Sequence, residues 1–259
     1  MSNIKFSVIT IVYNDYKNIE KTILSVINQT YKNIEYIIID GASTDGSIDV
    51  INKYQDKISK IISEPDSGIY NAMNKGIYNS SGDYIIFMNS GDKFSADNII
   101  ESIVNNINCS MLPNIIYGNY RESNNGICSN VIPAWNYKRI WYGVYACHQS
   151  MFYNLKLIID NKLQFDESYK IAADYKFDLE ITILAKENIL KLDLCISDFD
   201  ISGISNTNQN KCLRETNKAR REVLKMNYIK IYAISAIQIL ARCTKKYLNP
   251  LYKLIRKIK

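Results

Sequence analysis

Three short apolar runs stand out in the first third of the chain. They are Phe6–Val12, Tyr36–Ile39 and Tyr84–Met88, and each is rich in β-branched or aromatic side chains. Continuous apolar runs of this length are typical of strands that are covered on both faces, as in a parallel sheet. The pattern therefore predicts three central strands of one sheet.

Helical spacing fills much of the chain outside these strands. Apolar residues recur every three or four positions over Ile19–Ile27, Gly68–Tyr78, Ala96–Ile107 and Ile171–Lys186, and Ser47 is the expected N-cap of a further helix. Strands that alternate with helices predict an α/β fold, with a mostly parallel central sheet flanked by helices.

The segments that leave the predicted strands are the expected place for a binding site, because open parallel sheets bind ligands beyond the carboxyl ends of their strands. Asp40–Gly46 offers two carboxylates to a nucleobase or a ribose hydroxyl, although a turn and a helix cap explain the same residues. No glycine-rich phosphate loop follows the first strand. Side chains and a metal ion would therefore have to hold a nucleotide.

Asn89-Ser90-Gly91-Asp92 leaves the third predicted strand. A carboxylate at a strand end, among other acidic side chains, suits Mg²⁺ or Mn²⁺, because these ions take oxygen ligands. The alternative is a Gly-Asp turn that opens the following helix.

Charge divides the chain more sharply than its net value of +6 indicates. Residues 1–210 carry 18 basic and 24 acidic side chains, a balance of −6, whereas residues 211–259 carry 14 basic and 2 acidic ones, a balance of +12. The division predicts an acidic folded body and a basic helical tail, with separate roles.

The tail combines apolar and basic residues at helical spacing, interrupted by Pro250. A basic amphipathic helix with aromatics fits an anionic membrane surface, although a helix packed on the body explains the same pattern. The acidic body and the absence of a nucleic-acid-binding module argue against nucleic acid as a partner. No run of apolar residues is long enough to cross a membrane.

Six scattered cysteines lack metal-ligand spacing, and the N-terminal segment lacks the features of a secretory signal. These features favour reduced thiols and a cytoplasmic protein, which the tail would hold at the inner face of the plasma membrane.

Four segments together resemble glycosyltransferase family 2, whose members transfer sugars from nucleotide sugars and have the GT-A fold. The segments are Val8–Asn14, Ile38–Gly46, Asn71–Gly76 and Phe87–Asp92, in the family's order and spacing. Glu64–Gly76 and Cys147–Ser150 further resemble the branch that builds bacterial exopolysaccharide and O-antigen units.

The resemblance implies a nucleotide-sugar-binding half at residues 1–120 and an acceptor-binding half at 121–210. It implies a metal-binding role for Asp92, with Mn²⁺ or Mg²⁺ on the diphosphate of the donor. The implied nucleotide-sugar-binding residues are Thr10, Tyr13, Asn14, Asp40, Asp45, Asp66, Lys75 and Asn89. The chain departs from the family at its Asp-Ser-Asp-Asp block, which is Asn89-Ser90-Gly91-Asp92 here.

Asp174 aligns with the family's catalytic carboxylate, and Ala173 replaces the Glu of the usual Glu-Asp pair. A carboxylate in this position would remove the proton of an acceptor hydroxyl, and direct displacement would invert the anomeric centre. The alternative is a charge that only stabilises the N-terminus of a helix.

The aromatic segment between the two halves supplies candidate acceptor-binding residues. They are His148, the chain's only histidine, Gln149, Trp135 and Trp141. Residues of these types equally suit a protein core.

These features together predict an inverting transferase that passes a hexose, expected to be UDP-linked, to a lipid-linked saccharide in bacterial surface polysaccharide synthesis. The alternative is a catalytically silent nucleotide- or glycan-binding module on the same scaffold. The expected partners are a polyprenyl-diphosphate-linked acceptor and an anionic membrane surface. The sequence leaves open whether the chain forms a homo-oligomer.

Overall fold

The computed structural model describes residues 3–108, 111–124, 126–201 and 208–247. Its strands are β1 (Phe6–Val12), β2 (Ile34–Asp40), β3 (Lys60–Ser63), β4 (Tyr84–Phe87), β5 (Lys93–Phe94), β6 (Ile115–Asn124), β7 (Ile127–Cys128), β8 (Met151–Asn154) and β9 (Ile189–Asp200). Its helices are α1 (Ile19–Ile27), α2 (Ser47–Asn52), α3 (Ile69–Tyr78), α4 (Ile99–Asn106), α5 (Leu155–Asp160), α6 (Ala173–Ala185), α7 (Gln209–Leu224) and α8 (Tyr228–Tyr247).

These strands form one sheet in the order β3-β2-β1-β4-β8-β6-β9-β5, with β7 paired to β6. Strands β3, β2, β1 and β4 run parallel, so that Val12, Asp40 and Ser63 end side by side. The other half is mixed, because β8 is antiparallel to both of its neighbours while β6 and β9 are parallel. The α/β fold with a helix-flanked sheet is confirmed, and its parallel part is the N-terminal half.

Both faces of the parallel strands are covered, which explains why their sequences are continuously apolar. Ile9 and Ile11 of β1 face the core that contains α3, whereas Val8 and Val12 face the core that contains α1. Each of these four side chains is less than 10% exposed. Alternate residues of one strand therefore belong to two different hydrophobic layers.

The start of α2 differs from the sequence prediction. Gly46, not Ser47, is the N-cap, and its φ of 95° lies in the left-handed region, where glycine is favoured. Ser47 is the first residue of the helix, and its hydroxyl binds the carboxylate of Asp45 and the backbone N–H of Asp15. The prediction that Ser47 caps α2 is therefore wrong.

The C-terminal helices pack against the body as far as they are described. In α7, Arg220 is wholly buried, and in α8 the side chains of Ile231, Ile234 and Ser235 are less than 10% exposed. None of the described helices is long and apolar enough to cross a membrane. The basic residues beyond 247, including the predicted kink at Pro250, lie outside the described residues.

Candidate active site

Two loops at the carboxyl ends of β1 and β2 are tied together by side chain to backbone hydrogen bonds. Asn14 adopts a left-handed φ of 49°. Its Oδ1 accepts the N–H of Thr44 at 2.8 Å, and its own N–H donates to the Ser43 hydroxyl at 2.8 Å. Asp45 accepts the N–H of Tyr16 at 2.8 Å. Asn14 and Asp45 therefore build the rim of a crevice at this edge of the sheet.

Asp40 lies beneath this rim. It is completely buried, and its carboxylate accepts the N–H of Ser43 and the hydroxyl of Ser63, the latter at 2.6 Å. In this arrangement the carboxylate stabilises the turn that follows β2. A nucleobase could reach Asp40 only if these partners moved.

Gly41 allows three predicted donor-site segments to meet. A Cβ at Gly41 would lie 2.6 Å from Oδ2 of Asp66 and 3.1 Å from the ring of Tyr13. The carboxylate of Asp66 also accepts the N–H of Gly68 at 2.9 Å. Tyr13 is 65% exposed and Tyr16 is 52% exposed, which leaves two aromatic rings accessible beside the crevice.

Two predicted nucleotide-binding residues are placed elsewhere. Thr10 is completely buried on the α1 face of the sheet, where its hydroxyl donates to the carbonyl of Met88 and contacts the Tyr36 hydroxyl. Thr10 therefore has no surface that a bound nucleotide could contact, and its placement does not fit the predicted role in donor binding. Lys75 is bound by the carboxylate of Glu64 at 2.8 Å and the carbonyl of Pro65 at 2.9 Å, so it holds the loop that carries Asp66.

Asp92 lies at the inner end of the crevice and is 4% exposed. Burial is the main cause that raises the pKa of Asp92 to about 8, and the negative charge of Asp200 also raises it. The hydrogen bond that Asp92 accepts from the N–H of Asp200 acts in the opposite direction and lowers the pKa. Lys21 forms an ion pair with Asp200 at 3.1 Å. Sequence reasoning missed Asp200 and Lys21, because nothing in the local pattern placed the end of β9 beside the end of β4.

The residues around Asp92 fit a hard divalent cation in their chemistry. The Oδ1 of Asn89 is buried and has no hydrogen-bond partner among the described residues. A cation would supply a partner for that oxygen and would favour the charged form of Asp92. No group of three or more His, Cys, Asp or Glu side chains in the described ranges could hold a metal. Further ligands would therefore come from substrate and water.

Asp174 occupies the first turn of α6, near Cys147 and the hydroxyl of Tyr70. Its Oδ1 accepts the N–H of Tyr175 at 2.8 Å. Burial raises the pKa of Asp174 to about 6, although hydrogen bonds from the backbone of Tyr175 and of Asp174 itself lower it. A carboxylate with a pKa near 6 is ionised at neutral pH and can still accept a proton readily, as a general base must.

Gln149 and Cys147 connect the surroundings of the two carboxyls. The Gln149 side chain donates to Asp92 and accepts the thiol of Cys147 at 2.9 Å. The negative charges of Asp92 and Asp174 both act on the Cys147 thiol, whose pKa is raised mainly by burial. Gln149 is 6% exposed. It therefore lies beside the candidate metal residue and lacks the open surface expected of an acceptor contact.

His148 belongs to the aromatic core. Its ring stacks on Phe87 at 5.2 Å, its Nδ1 lies 3.0 Å from the Tyr153 hydroxyl, and that hydroxyl donates to Asp178. Burial lowers the pKa of His148 to about 4, which keeps it neutral at pH 7. The residue is 8% exposed, so the prediction that it contacts the acceptor is not supported by its placement.

The two tryptophans have other neighbours in the structure. The guanidinium of Arg139 sits 4.6 Å above the Trp135 ring. Trp141 lines an apolar cavity of about 400 Å³ with residues of α8 and of the segment before it. The structure thus places Gln149 beside Asp92, and both Asp92 and Asp174 near Cys147.

Comparisons with known proteins agree with this architecture. Residues 7–126 match the family model described as glycosyl transferase family 2. The chain is 30% identical over 202 residues to an uncharacterised glycosyltransferase of Mycobacterium tuberculosis, covering 76% of each chain. It is 38% identical over 96 residues to a Bacillus subtilis protein assigned to teichuronic acid biosynthesis as a glycosyltransferase, covering 36% of this chain and 38% of that one.

Solved structures show the same fold. The structure of S. aureus TarS residues 1–349 in complex with UDP-GlcNAc superimposes with a TM-score of 0.69 at 19% identity. The match covers 93% of this chain and 73% of that one. At this identity the likeness establishes the fold alone, which is the GT-A fold.

Proposed function

We propose that this chain, which belongs to glycosyl transferase family 2, transfers a hexosyl group from UDP-hexose to a lipid-linked saccharide with inversion of configuration. Membership of the family makes the chain a nucleotide-sugar-dependent transferase. The observation that supports the proposal is that two carboxyls, the buried Asp92 and the partly exposed Asp174, both lie near enough to Cys147 for their charges to act on its thiol.

Asp174 is the general base of the proposed reaction. The acceptor hydroxyl gives its proton to the Asp174 carboxylate while its oxygen forms a bond to the anomeric carbon. The bond between that carbon and the diphosphate oxygen breaks, and its electron pair leaves with the nucleotide. One such displacement inverts the anomeric configuration.

Asp92 and Asn89 would hold Mn²⁺ or Mg²⁺ together with the diphosphate of the donor. When bound, the ion supplies positive charge that stabilises the leaving diphosphate. Tyr13 and Asp66, beside Gly41, are the proposed contacts of the nucleoside. The preference for UDP is supported by the complexes of TarS, a protein of the same fold, with UDP and UDP-GlcNAc.

The proposal that the acceptor belongs to surface polysaccharide synthesis is supported by the Bacillus subtilis relative, which is assigned to teichuronic acid biosynthesis. A lipid-linked acceptor requires an enzyme that works at a membrane. We therefore propose a cytoplasmic location at the inner face of the plasma membrane.

The outer face of α8 supports membrane contact. Ile229 is 81% exposed, Tyr232 67% and Leu240 65%, and their spacing places them on one side of the helix. The buried residues Ile231 and Ile234 lie on the opposite side. The chain contains no acidic residue after Glu222, so this outer face meets anionic lipid without a repelling charge.

Donor use is tested by incubating the full chain with UDP- and GDP-sugars and Mn²⁺, and by measuring thermal stabilisation and nucleotide release. We expect UDP-sugars to stabilise the protein and UDP to be released. Asp174→Asn should lower the rate of release about 10³-fold and Asp92→Ala should also lower it strongly, whereas Asp160→Asn, at an exposed ion pair on α5, should not. Stabilisation without release in the presence of polyprenyl-diphosphate saccharides would instead support the silent binding module.

Membrane contact is tested by flotation with phosphatidylglycerol-containing vesicles. Ile229→Asp combined with Leu240→Asp should lower the bound fraction at least several-fold, because two charges would have to enter the bilayer interface. Ile183→Asp, at a half-exposed isoleucine of α6, is the control and should bind as the wild type does. Equal binding by all three proteins would refute the assignment of this face.

A further inference from the structure

Glu215, on α7, binds the backbone immediately before α6. Its carboxylate accepts the N–H of Lys170 at 3.1 Å, of Ile171 at 2.8 Å and of Ala172 at 3.0 Å. Three successive amides thus converge on one carboxylate that lies more than 40 positions further along the chain. Hydrogen bonds to an ionised acceptor are among the stronger ones in proteins.

The N-terminus of α6 has no local cap. Ala172 is the N-cap residue and offers no side-chain oxygen to the first turn. Glu215 supplies the partner for the N–H of Ala172, while the hydroxyl oxygen of Tyr70, on α3, receives hydrogen bonds from the backbone of Ala173 and Asp174. Without Glu215, the part-buried amides of Ile171 and Ala172 would lose their only hydrogen-bond partner among the described side chains.

Other contacts of α7 hold Glu215 in place. Arg220 donates to the carbonyls of Trp141 and Tyr142, at 3.1 and 2.5 Å. Glu222 accepts the Tyr169 hydroxyl at 2.8 Å and forms an ion pair with Lys176 at 3.3 Å. The part of α7 that follows Glu215 is therefore fixed against α6 and against residues 141–142.

We propose that Glu215 is a positioning residue for glycosyl transfer, which fixes the first turn of α6 and thereby the carboxylate of Asp174 at the crevice. The proposal rests on the proposed role of Asp174 as the base. It places a residue beyond 126, the end of the matched family model, in the support of the catalytic centre. A small displacement of a reacting group can lower the reaction rate strongly.

Glu215 also acts on Asp174 through its charge. The titratable groups around Asp174 are Tyr70 of α3, Cys147, Tyr153 of β8, Asp178 of α6, and Cys212 and Glu215 of α7. Burial raises the pKa of the two thiols, the two phenols and Asp178, which favours their neutral forms. The carboxylate of Glu215 raises the pKa of Asp174, so its removal should lower that pKa.

The variant to make is Glu215→Gln, with Glu187→Gln, at an exposed glutamate just beyond the other end of α6, as the matched control. In ¹³C-carboxyl NMR of aspartate-labelled protein, the resonance lost in Asp174→Asn reports the titration of Asp174. Its midpoint should fall in Glu215→Gln and stay within error in Glu187→Gln. Hydrogen exchange at Lys170, Ile171 and Ala172 should be faster in Glu215→Gln alone. Neither readout requires a substrate.

Turnover completes the test, with release of UDP from UDP-glucose as the probe, or from whichever UDP-sugar the donor screen selects. Glu215→Gln should lower kcat about 10-fold, with little change in KM and with the acid limb of the pH profile displaced to lower pH. Wild-type kcat together with an unchanged Asp174 midpoint would overturn the proposal. Full activity in Asp174→Asn would instead refute the base assignment, whatever Glu215→Gln does to the exchange rates.

Discussion

The loops after β1 and β2, which form the proposed donor edge of the sheet, are built differently from the N-terminus of α6. At the donor edge, Asn14 and Asp45 lie within a few residues of the strands that position them, and they bind neighbouring loops. At α6, Asp174 depends on Tyr70 and on Glu215, which come from distant parts of the chain. Local sequence therefore specifies the donor edge, whereas tertiary packing specifies the surroundings of Asp174.

The largest expected effect on stability concerns the packing of α7. Arg220→Ala should lower the free energy of unfolding by about 3 kcal/mol, because the carbonyls of Trp141 and Tyr142 lose charged donors. The neighbouring Arg221, exposed and bound to the Tyr228 hydroxyl, is the control. Urea denaturation of Arg221→Ala should show a loss below about 1 kcal/mol. Equal losses would mean that α7 is not anchored by Arg220.

The titration of Asp92 has a smaller effect on stability for each pH unit. Its folded pKa of about 8 is above its unfolded value, so the stability associated with it is present at low pH and is lost as pH rises towards 8. Between pH 5 and 8, the titration of Asp92 should lower the free energy of unfolding of the metal-free protein by roughly 1 kcal/mol per pH unit. Other titrating groups contribute separately. Asp92→Asn should show a flatter profile in the same denaturation series. Identical profiles would refute the raised pKa.

Gly41→Ala should have the smallest effect on stability, below about 1 kcal/mol, because the Asp66 carboxylate can shift away from the new methyl group. Binding should be affected more, since Asp66 and Tyr13 are the proposed nucleoside contacts. Calorimetry should show several-fold weaker binding of UDP to Gly41→Ala. The matched change is Gly143→Ala, whose Cβ would meet Nε2 of Gln238 at an ordinary contact distance of 3.6 Å, and it should leave UDP binding unchanged.

Much of the fold could be predicted because parallel strands covered on both faces have continuous apolar sequences. Phe6–Val12 is a strand with the predicted bounds, and α1 and α3 lie where the helical spacing places them. Strands β6, β8 and β9 were not predicted, because β6 and β9 carry polar and glycine positions whose partners are far away in sequence. Their pairing is a tertiary feature.

The candidate site was predictable where a residue follows directly from a strand end. Asp92, which follows β4, is such a residue, whereas Asp174 was predicted from the family resemblance alone. Thr10 is buried instead, because β1 alternates between two layers and sequence alone does not say which layer carries the site. His148 is a core residue, since its partner Tyr153 lies on the adjoining strand and is bound by Asp178 of α6. The proposed role of Glu215 could not be predicted from the sequence. An alanine at the N-cap position, Ala172, does not indicate which distant residue binds the neighbouring amides.

The pH dependence of UDP release tests the central claim most directly, which is that Asp174 is the base in a crevice shared with Asp92. The wild-type rate should fall as pH drops through about 6, the pKa of Asp174, and Asp174→Asn should be slower by about 10³-fold with no such limb. An Asp174→Asn protein that retains the wild-type rate and the same acid limb would contradict the claim.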